Sequence, residues 1–141
     1  MEISGFISSN YDGWAMIGNT AFADYMYEFA ENNGIAFEHD EGLGGQKAII
    51  KNCNMVMYTS KEKMEFEEAQ ERFLNSMFGA KGIYEMESSY TGYSEWTITG
   101  YDLEKCTLGG HDINQILLSH IGEYANIRVE CPKGGCDETR G

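Results

Sequence analysis

Two short motifs near the C-terminus place the tightest limits on how this chain can fold. Residues 106–111 (Cys-Thr-Leu-Gly-Gly-His) and 131–136 (Cys-Pro-Lys-Gly-Gly-Cys) each separate a cysteine from a second soft ligand by a segment that ends in Gly-Gly. The spacing within each pair and between the pairs is typical of structural zinc sites. Glycine suits such tight turns because it adopts positive φ without a Cβ clash. The pattern predicts a structural Zn²⁺ bound by Cys106, His111, Cys131 and Cys136.

The same residues also allow interpretations with a different ligand set or no metal. Free cysteine is among the most buried residue types and often packs as a small apolar side chain. Asp112 is a suitable N-cap, so the Gly-Gly before it could serve only to start a helix. Cys53 could instead replace His111 and complete an all-cysteine site. The sequence leaves these alternatives open.

Length and composition predict one folded domain, residues 1–141, with the zinc knuckles at 106–136. The chain has 42% hydrophobic and 13% aromatic residues, enough to bury a core despite its charge. No signal segment or membrane-spanning apolar run is apparent. We therefore expect a cytosolic protein without a membrane partner, in which cysteines are metal ligands more readily than disulfides. The oligomeric state is open, with a monomer favoured.

The net charge of −13 is carried by two stretches that contain no Lys or Arg. Residues 1–46 hold eight acids and residues 82–104 hold five. If folding gathers these acids on one face, that face repels nucleic acid and attracts proteins that bind nucleic acid. Alternatively, the acids only keep a small protein soluble. The first alternative predicts a protein partner and no direct contact with nucleic acid.

Hydrophobic periodicity predicts an alternation of strands and helices. We expect strands at 3–8, 14–17, 35–38, 47–58 (one bent strand or a hairpin), 83–88, 94–101 and 124–131, and helices at 20–32, 59–78 and 112–121. A helical crossover favours parallel strands, which would bring Cys106, His111 and Cys131 to one sheet edge. The predicted fold is α+β: a single two-layer domain with a mixed β-sheet, about three helices and a C-terminal β-α-β unit stapled by zinc.

One motif raises the possibility of catalysis. His39-Asp-Glu41 is an H-x-E, which zinc deaminases combine with P-C-x-x-C. In this chain the second motif is Cys131-Pro-Lys-Gly-Gly-Cys136, with a different gap and the proline after the cysteine. A zinc-dependent enzyme of deaminase type, using His39 and Glu41, is therefore the alternative. Because other catalytic motifs are missing from the sequence, we predict a protein that is not an enzyme.

Aromatic residues crowd the second base-free stretch, around a polar loop predicted at 89–93. Tyr and Trp supply rigid contact area at low entropic cost, which is typical of binding surfaces. Stacking on bases would leave phosphates unneutralised there, because the stretch contains no cation. Alternatively, about half of these rings belong to the core. The predicted partner-binding residues are Glu38, Asp40, Glu41, Glu85, Glu87, Tyr90, Tyr93, Glu95, Trp96, Asp102 and Glu104.

Residues 108–124 (LGGHDINQILLSHIGEY) resemble C-terminal segments of small proteins from phages and mobile elements of Firmicutes. Such elements encode anti-CRISPR proteins that inhibit type II-A Cas9. The resemblance covers a short part of the chain. It implies a small, acidic, non-enzymatic protein in the bacterial cytoplasm that binds a Cas9-type nuclease and blocks its nucleic-acid grooves. A further alternative is a structural or regulatory protein of a mobile element, without an inhibitory role.

Overall fold

The computed structural model describes residues 1–33, 37–39, 46–73, 77–94 and 97–131, with the backbone alone at 37–39, 46, 89–94 and 97–102. Within these ranges the chain forms nine strands and three helices. In chain order they are β1 (Glu2–Ser9), β2 (Ala15–Ile17), β3 (Thr20–Ala21), α1 (Phe22–Asn32), β4 (Phe37–His39), β5 (Gln46–Ser60), α2 (Phe66–Arg72), β6 (Phe78–Ser94), β7 (Thr97–Leu108), β8 (His111–Asp112), α3 (Ile113–Leu118) and β9 (Tyr124–Glu130).

The described strands form one antiparallel sheet in the order β3-β2-β1-β9-β5-β6-β7-β8, and β4 also pairs with β5. The α+β class is confirmed, but the prediction of a mixed sheet is wrong. β9 lies between β1 and β5. Five of its seven residues are buried, as expected for a central strand. Since neighbouring strands alternate in direction, β7 and β9 run in opposite directions. The parallel β-α-β unit therefore does not form.

Two helices cover one face of the sheet. The helical spacing of Phe22, Met26 and Phe29 predicted α1, and these side chains are buried in the main core. α3 adds Ile113 and Leu117, both fully buried. The strands contribute alternate residues to the same core, as a period of two requires. Among them are Ile3, Ile7, Ile50, Met55, Met57, Ile127 and Val129.

α2 lies on the opposite face, where Tyr58, Phe66 and Ala69 form a second buried cluster. The guanidinium carbon of Arg128 on β9 lies 4.1 Å from the centre of the Phe66 ring. Helices therefore cover both faces, and the predicted two-layer arrangement accounts for only part of the domain. α2 is also much shorter than the predicted helix 59–78. Thr59 and Glu62 have the spacing of a capping box and predicted the start of that helix, but residues 54–60 of β5 pair with β9 instead.

α3 begins where the sequence predicted a helix start. The Asp112 carboxylate accepts a hydrogen bond from the Gln115 N–H at 3.0 Å, which confirms Asp112 as the N-cap. The side chain of Asn114 then binds the β1–β2 turn. Its Oδ1 accepts from the Ala15 N–H at 2.7 Å, and its Nδ2 donates to the Gly13 carbonyl at 2.9 Å. This side chain fixes the helix against the opposite end of the chain.

Candidate protein-binding ribbon

The β6–β7 hairpin continues beyond the last described pair of β6 with β5. β6 pairs with β5 only as far as Ser88, which lies opposite Gln46. Beyond that point residues 89–94 pair with residues 97–102 and with no other described strand. We call these two segments the ribbon. The prediction of a polar loop at 89–93 is therefore wrong, because β6 continues through these residues.

Register shifts shape the base and the middle of the ribbon. Glu87 pairs with Lys105 and Ser88 with Leu103, so Glu104 is an extra residue on β7. Two further shifts flank the pair formed by Gly92 and Gly100. β-Bulges bend the strand and increase its twist, and they are common beside functional sites. The ribbon therefore leaves the sheet through a bulge.

The ribbon brings together several predicted partner-binding residues. Tyr90 lies opposite Tyr101, Tyr93 opposite Ile98, and Asp102 opposite Ser89. The Cα atoms of directly opposed residues in antiparallel strands lie about 4.5–5.5 Å apart. Tyr101 was not among the predicted binding residues, although it belongs to the same aromatic-rich stretch. Four other predicted positions lie outside the described residues: Asp40, Glu41, Glu95 and Trp96.

Two of the predicted partner-binding carboxylates form ion pairs with lysines of adjacent strands. Lys105 Nζ lies 2.6 Å from Glu85 Oε2, and Lys47 Nζ lies 3.4 Å from Glu87 Oε1. The hydrogen bond to Glu85 raises the pKa of Lys105. Glu38, at the β4 edge, also lies opposite Lys47 in register. Residues 82–104 contain no Lys or Arg. Strand pairing nevertheless brings Lys47 and Lys105, which lie outside that stretch, next to two of its carboxylates.

Helix α1 carries the clearest group of carboxylates without cations. Asp24, Glu28 and Glu31 are exposed, and none forms an ion pair with a described residue. Partial burial raises the pKa of Asp24. Glu28 and Glu31 are neighbours of like charge near the helix C-terminus, where the helix dipole disfavours anions. Their helical spacing in a base-free stretch is the sequence signal for this group, although none of the three is among the predicted partner-binding residues.

Cys53 and Cys106 are buried thiols packed in the main core. The Cys106 Sγ lies 3.4 Å from the Tyr84 hydroxyl, and the backbone N–H of Asn114 also hydrogen-bonds to this sulfur. Burial raises the pKa of each thiol to about 12 and the pKa of Tyr84 well above its usual value. Protonated thiols in such surroundings pack as apolar groups and are inert.

The predicted zinc ligands are widely spaced where the structure describes them. Cys106 on β7 lies three strands from the end of β9, about 14 Å across the sheet. The exposed His111 ring packs edge-on against Phe78, with ring centres 5.6 Å apart. Cys131 is disulfide-bonded, so it would need reduction before it could bind zinc. The expectation was that the cysteines are metal ligands more readily than disulfides, and the bond at Cys131 differs from it.

Cys53 and Cys131 flank the last described pair of β5 with β9. That pair joins Asn54 to Glu130, the chain neighbours of the two cysteines. The described residues contain no group of three or more His, Cys, Asp or Glu side chains suited to a metal. Cys136 lies outside the described residues, so the zinc site stays a prediction, with either His111 or Cys53 as the fourth ligand.

The buried thiols predict a loss of stability in mild alkali. A thiol ionises near pH 9.0 when exposed in the unfolded chain but near pH 12 in the fold. The folded state therefore binds more protons between these values, and its stability falls as pH rises. We expect each thiol to remove about 1 kcal/mol from the unfolding free energy between pH 9 and 10. Urea titrations at both pH values measure this change.

Alanine variants of the two cysteines separate their contributions to the pH effect. Cys53→Ala and Cys106→Ala should each remove about half of the pH-dependent loss, whatever their effect on stability at neutral pH. Ending the interval at pH 10 limits the contribution of Tyr84, which ionises near pH 10.0 in the unfolded chain, to about a third of the contribution of one thiol. An unchanged pH dependence in the double variant would show that other groups cause the loss.

The remaining predicted catalytic pair is only partly described. His39 ends β4, and Glu41 lies outside the described residues.

No described helix has the length and apolar character that a membrane span requires. No protein-family model matches the chain, and no curated protein or solved structure is significantly similar to it.

Proposed function

We propose that this protein is an acidic, non-enzymatic inhibitor that binds a nucleic-acid-handling nuclease of the Cas9 type. The ribbon is the observation that carries the proposal. It extends past β5, pairs with no other described strand and places Tyr90 and Tyr101 at one register position. Tyrosine-rich elements of this kind supply rigid anchors in protein interfaces. The resemblance of residues 108–124 to segments of mobile-element proteins supplies the Cas9-type target.

Charge gives this proposal its electrostatic part. Glu28 and Glu31 lie toward the C-terminal end of α1, where the helix dipole disfavours anions, so these two carboxylates do not serve helix stability. A Cas9-type nuclease holds its RNA–DNA heteroduplex in a positively charged channel. Glu28 and Glu31 would pair with Lys and Arg of such a channel, and the long-range field would accelerate association.

The proposed mechanism is steric and electrostatic. The ribbon would enter a groove of the nuclease and provide apolar contacts, while the carboxylates of α1 compete with nucleic-acid phosphates for the same cations. The mixed Lys–Glu pairs beside the ribbon, at Glu85 and Glu87, would contribute register and specificity more than affinity. A structural zinc belongs to this proposal only as a staple of the C-terminal segment.

The test is DNA cleavage by a purified Cas9–guide complex, with and without this protein, at low and high salt. We expect cleavage to stop at stoichiometric excess in low salt and to recover at high salt, because screening weakens pairing between exposed charges. No inhibition of several Cas9 orthologues at low salt would refute the proposal. Inhibition that does not change with salt would refute its electrostatic part and assign the binding to apolar contacts.

A matched pair of charge variants locates the acidic contact. Glu28→Gln/Glu31→Gln removes two carboxylates from α1, whereas Glu62→Gln/Glu71→Gln removes two exposed carboxylates near α2. Both double variants change the net charge equally. We expect the α1 variant to weaken inhibition about tenfold and the α2 variant to have little effect. Equal losses would mean that net charge alone, and not α1, drives the association.

A further inference from the structure

Strand β7 has an open backbone edge along much of its length. β6 pairs with one side of β7, whereas β8 pairs with the other side only at Thr107 and Leu108. No backbone hydrogen bond joins residues 97–103 to a described residue outside β6. At about 3.4 Å per residue, this stretch is about 24 Å long. Within the described structure it leaves a row of N–H and C=O groups on which a further strand can pair.

This edge lacks the features that usually protect a strand edge. The outermost strands of the sheet, β3 and β8, are protected because each has only two residues. Residues 97–103 (Thr-Ile-Thr-Gly-Tyr-Asp-Leu) contain neither proline nor lysine, and most of them favour strands. Lys105 does not guard the edge either, because its ammonium lies 2.6 Å from Glu85 on β6, the opposite side of β7.

Charge and twist indicate which kind of strand fits this edge. Residues 89–104 contain three acids and no Lys or Arg, so they attract a strand that carries cations. Pairing this edge between two copies of the chain would instead bring like charges together. Register shifts flank Gly100, and an added strand must follow the twist that they impose. A flexible extended segment follows such a twist more readily than a strand already fixed in a folded protein.

We propose that the open edge of β7 at residues 97–103 binds an extended, lysine- or arginine-rich segment of a partner protein by strand addition. The backbone of the segment pairs with the edge and provides affinity, while its alternate side chains provide specificity. Leu103, half-buried against the main core, offers an apolar contact at the base of the edge. This inference goes beyond the proposed inhibitor function, because strand addition requires neither a nuclease nor the ribbon tyrosines.

A short peptide of alternating lysine and valine is a suitable probe, because valine favours strands and lysine supplies the charge. Two comparison peptides replace either valine by proline or lysine by glutamate. Amide chemical shifts and hydrogen exchange of the ¹⁵N-labelled protein, followed at constant ionic strength, report binding at residues 97–103. With the probe we expect saturable shifts and at least tenfold slower exchange at these amides. Both comparison peptides should bind at least tenfold more weakly.

Each alternative to strand addition gives a different result in this experiment. Equal affinity for the proline peptide would overturn strand addition, because that peptide keeps the charge but loses half of its amide donors. Equal affinity for the glutamate peptide would overturn the preference for cations. Shifts confined to other residues, those of α1 included, would overturn the edge as the site. Slower exchange at residues 97–103 with rising protein concentration, in the absence of peptide, would assign the edge to a second copy.

Two charge-reversal variants test the preference for cations from the side of the protein. Asp102→Lys places a cation in β7 at the open edge, whereas Glu62→Lys places one at an exposed position before α2. Both change the net charge equally. We expect Asp102→Lys to weaken binding of the lysine–valine peptide at least tenfold and Glu62→Lys to leave it nearly unchanged. Equal losses would overturn the edge as the source of the preference, and the peptide comparisons decide the case if Asp102→Lys disturbs the ribbon.

Discussion

Replacing Gly109 by alanine should lower the free energy of unfolding by about 3 kcal/mol or more. The residue has φ +58°, a conformation that costs a non-glycine residue about 1–2 kcal/mol. The new Cβ would also lie 2.4 Å from the Lys81 carbonyl oxygen, a backbone atom that cannot rotate away. To relieve this clash the β7–β8 turn must move away from β6. The loss of stability is then similar to that of overpacking a core. Urea unfolding of the wild type and the variant measures the difference.

Gly110 is the matched control for this substitution. It lies in the same turn with φ +86°, but an added Cβ would meet no atom within 4 Å. Gly110→Ala should therefore cost only the conformational part, about 1–2 kcal/mol. If both variants lose the same stability, the close approach of the turn to Lys81 does not contribute.

Local sequence patterns predicted the elements whose determining residues lie close together in the sequence. The spacing of Phe22, Met26 and Phe29 predicted α1, and Asp112 predicted the start of α3. The bent run at 47–58 is a single strand with a register shift between Ile50 and Cys53, one of the two predicted alternatives. In each case the residues that determine the structure lie within a few positions of one another.

Predictions failed where pairing between distant segments decides the structure. Thr59 has the local signal of a helix cap, yet it pairs with Ala125 in the sheet. The strand predicted at 124–131 forms as β9 over residues 124–130, but its partners β1 and β5 lie far away in sequence. Local propensity is a weak prior that such tertiary contacts override.

The candidate site shows the same division between local and distant information. Aromatic crowding around residue 90 was visible in the sequence, but Gly92 and Gly100 favour turns, so the ribbon itself was not predicted. The neutralisation of Glu85 by Lys105 depends on strand register, which no local charge count includes. Composition drew attention to the residues of this region, and only the pairing of β6 with β7 gives their arrangement.

Replacing both ribbon tyrosines, Tyr90→Ser/Tyr101→Ser, should weaken inhibition of the Cas9–guide complex about 100-fold. Two aromatic anchors at one register position would each contribute more than about 1 kcal/mol to an interface, and a loss of about 2.7 kcal/mol corresponds to this factor. Inhibition titrations at low salt give the ratio. Unfolding free energy should change little, because residues 89–94 and 97–102 pair with no other described strand.

Two further variants separate a binding role from a structural one. Tyr11→Ser removes a fully exposed tyrosine from the β1–β2 turn and should leave inhibition unchanged. Replacing residues 89–102 by Asn-Gly joins Ser88 to Leu103, which are already opposite each other, through a favoured two-residue turn. This shortened protein should fold with nearly wild-type stability and should not inhibit. Full inhibition by the folded, shortened protein would exclude the ribbon as the binding element and leave the carboxylates of α1 as the remaining candidate, because they belong to a separate part of the fold.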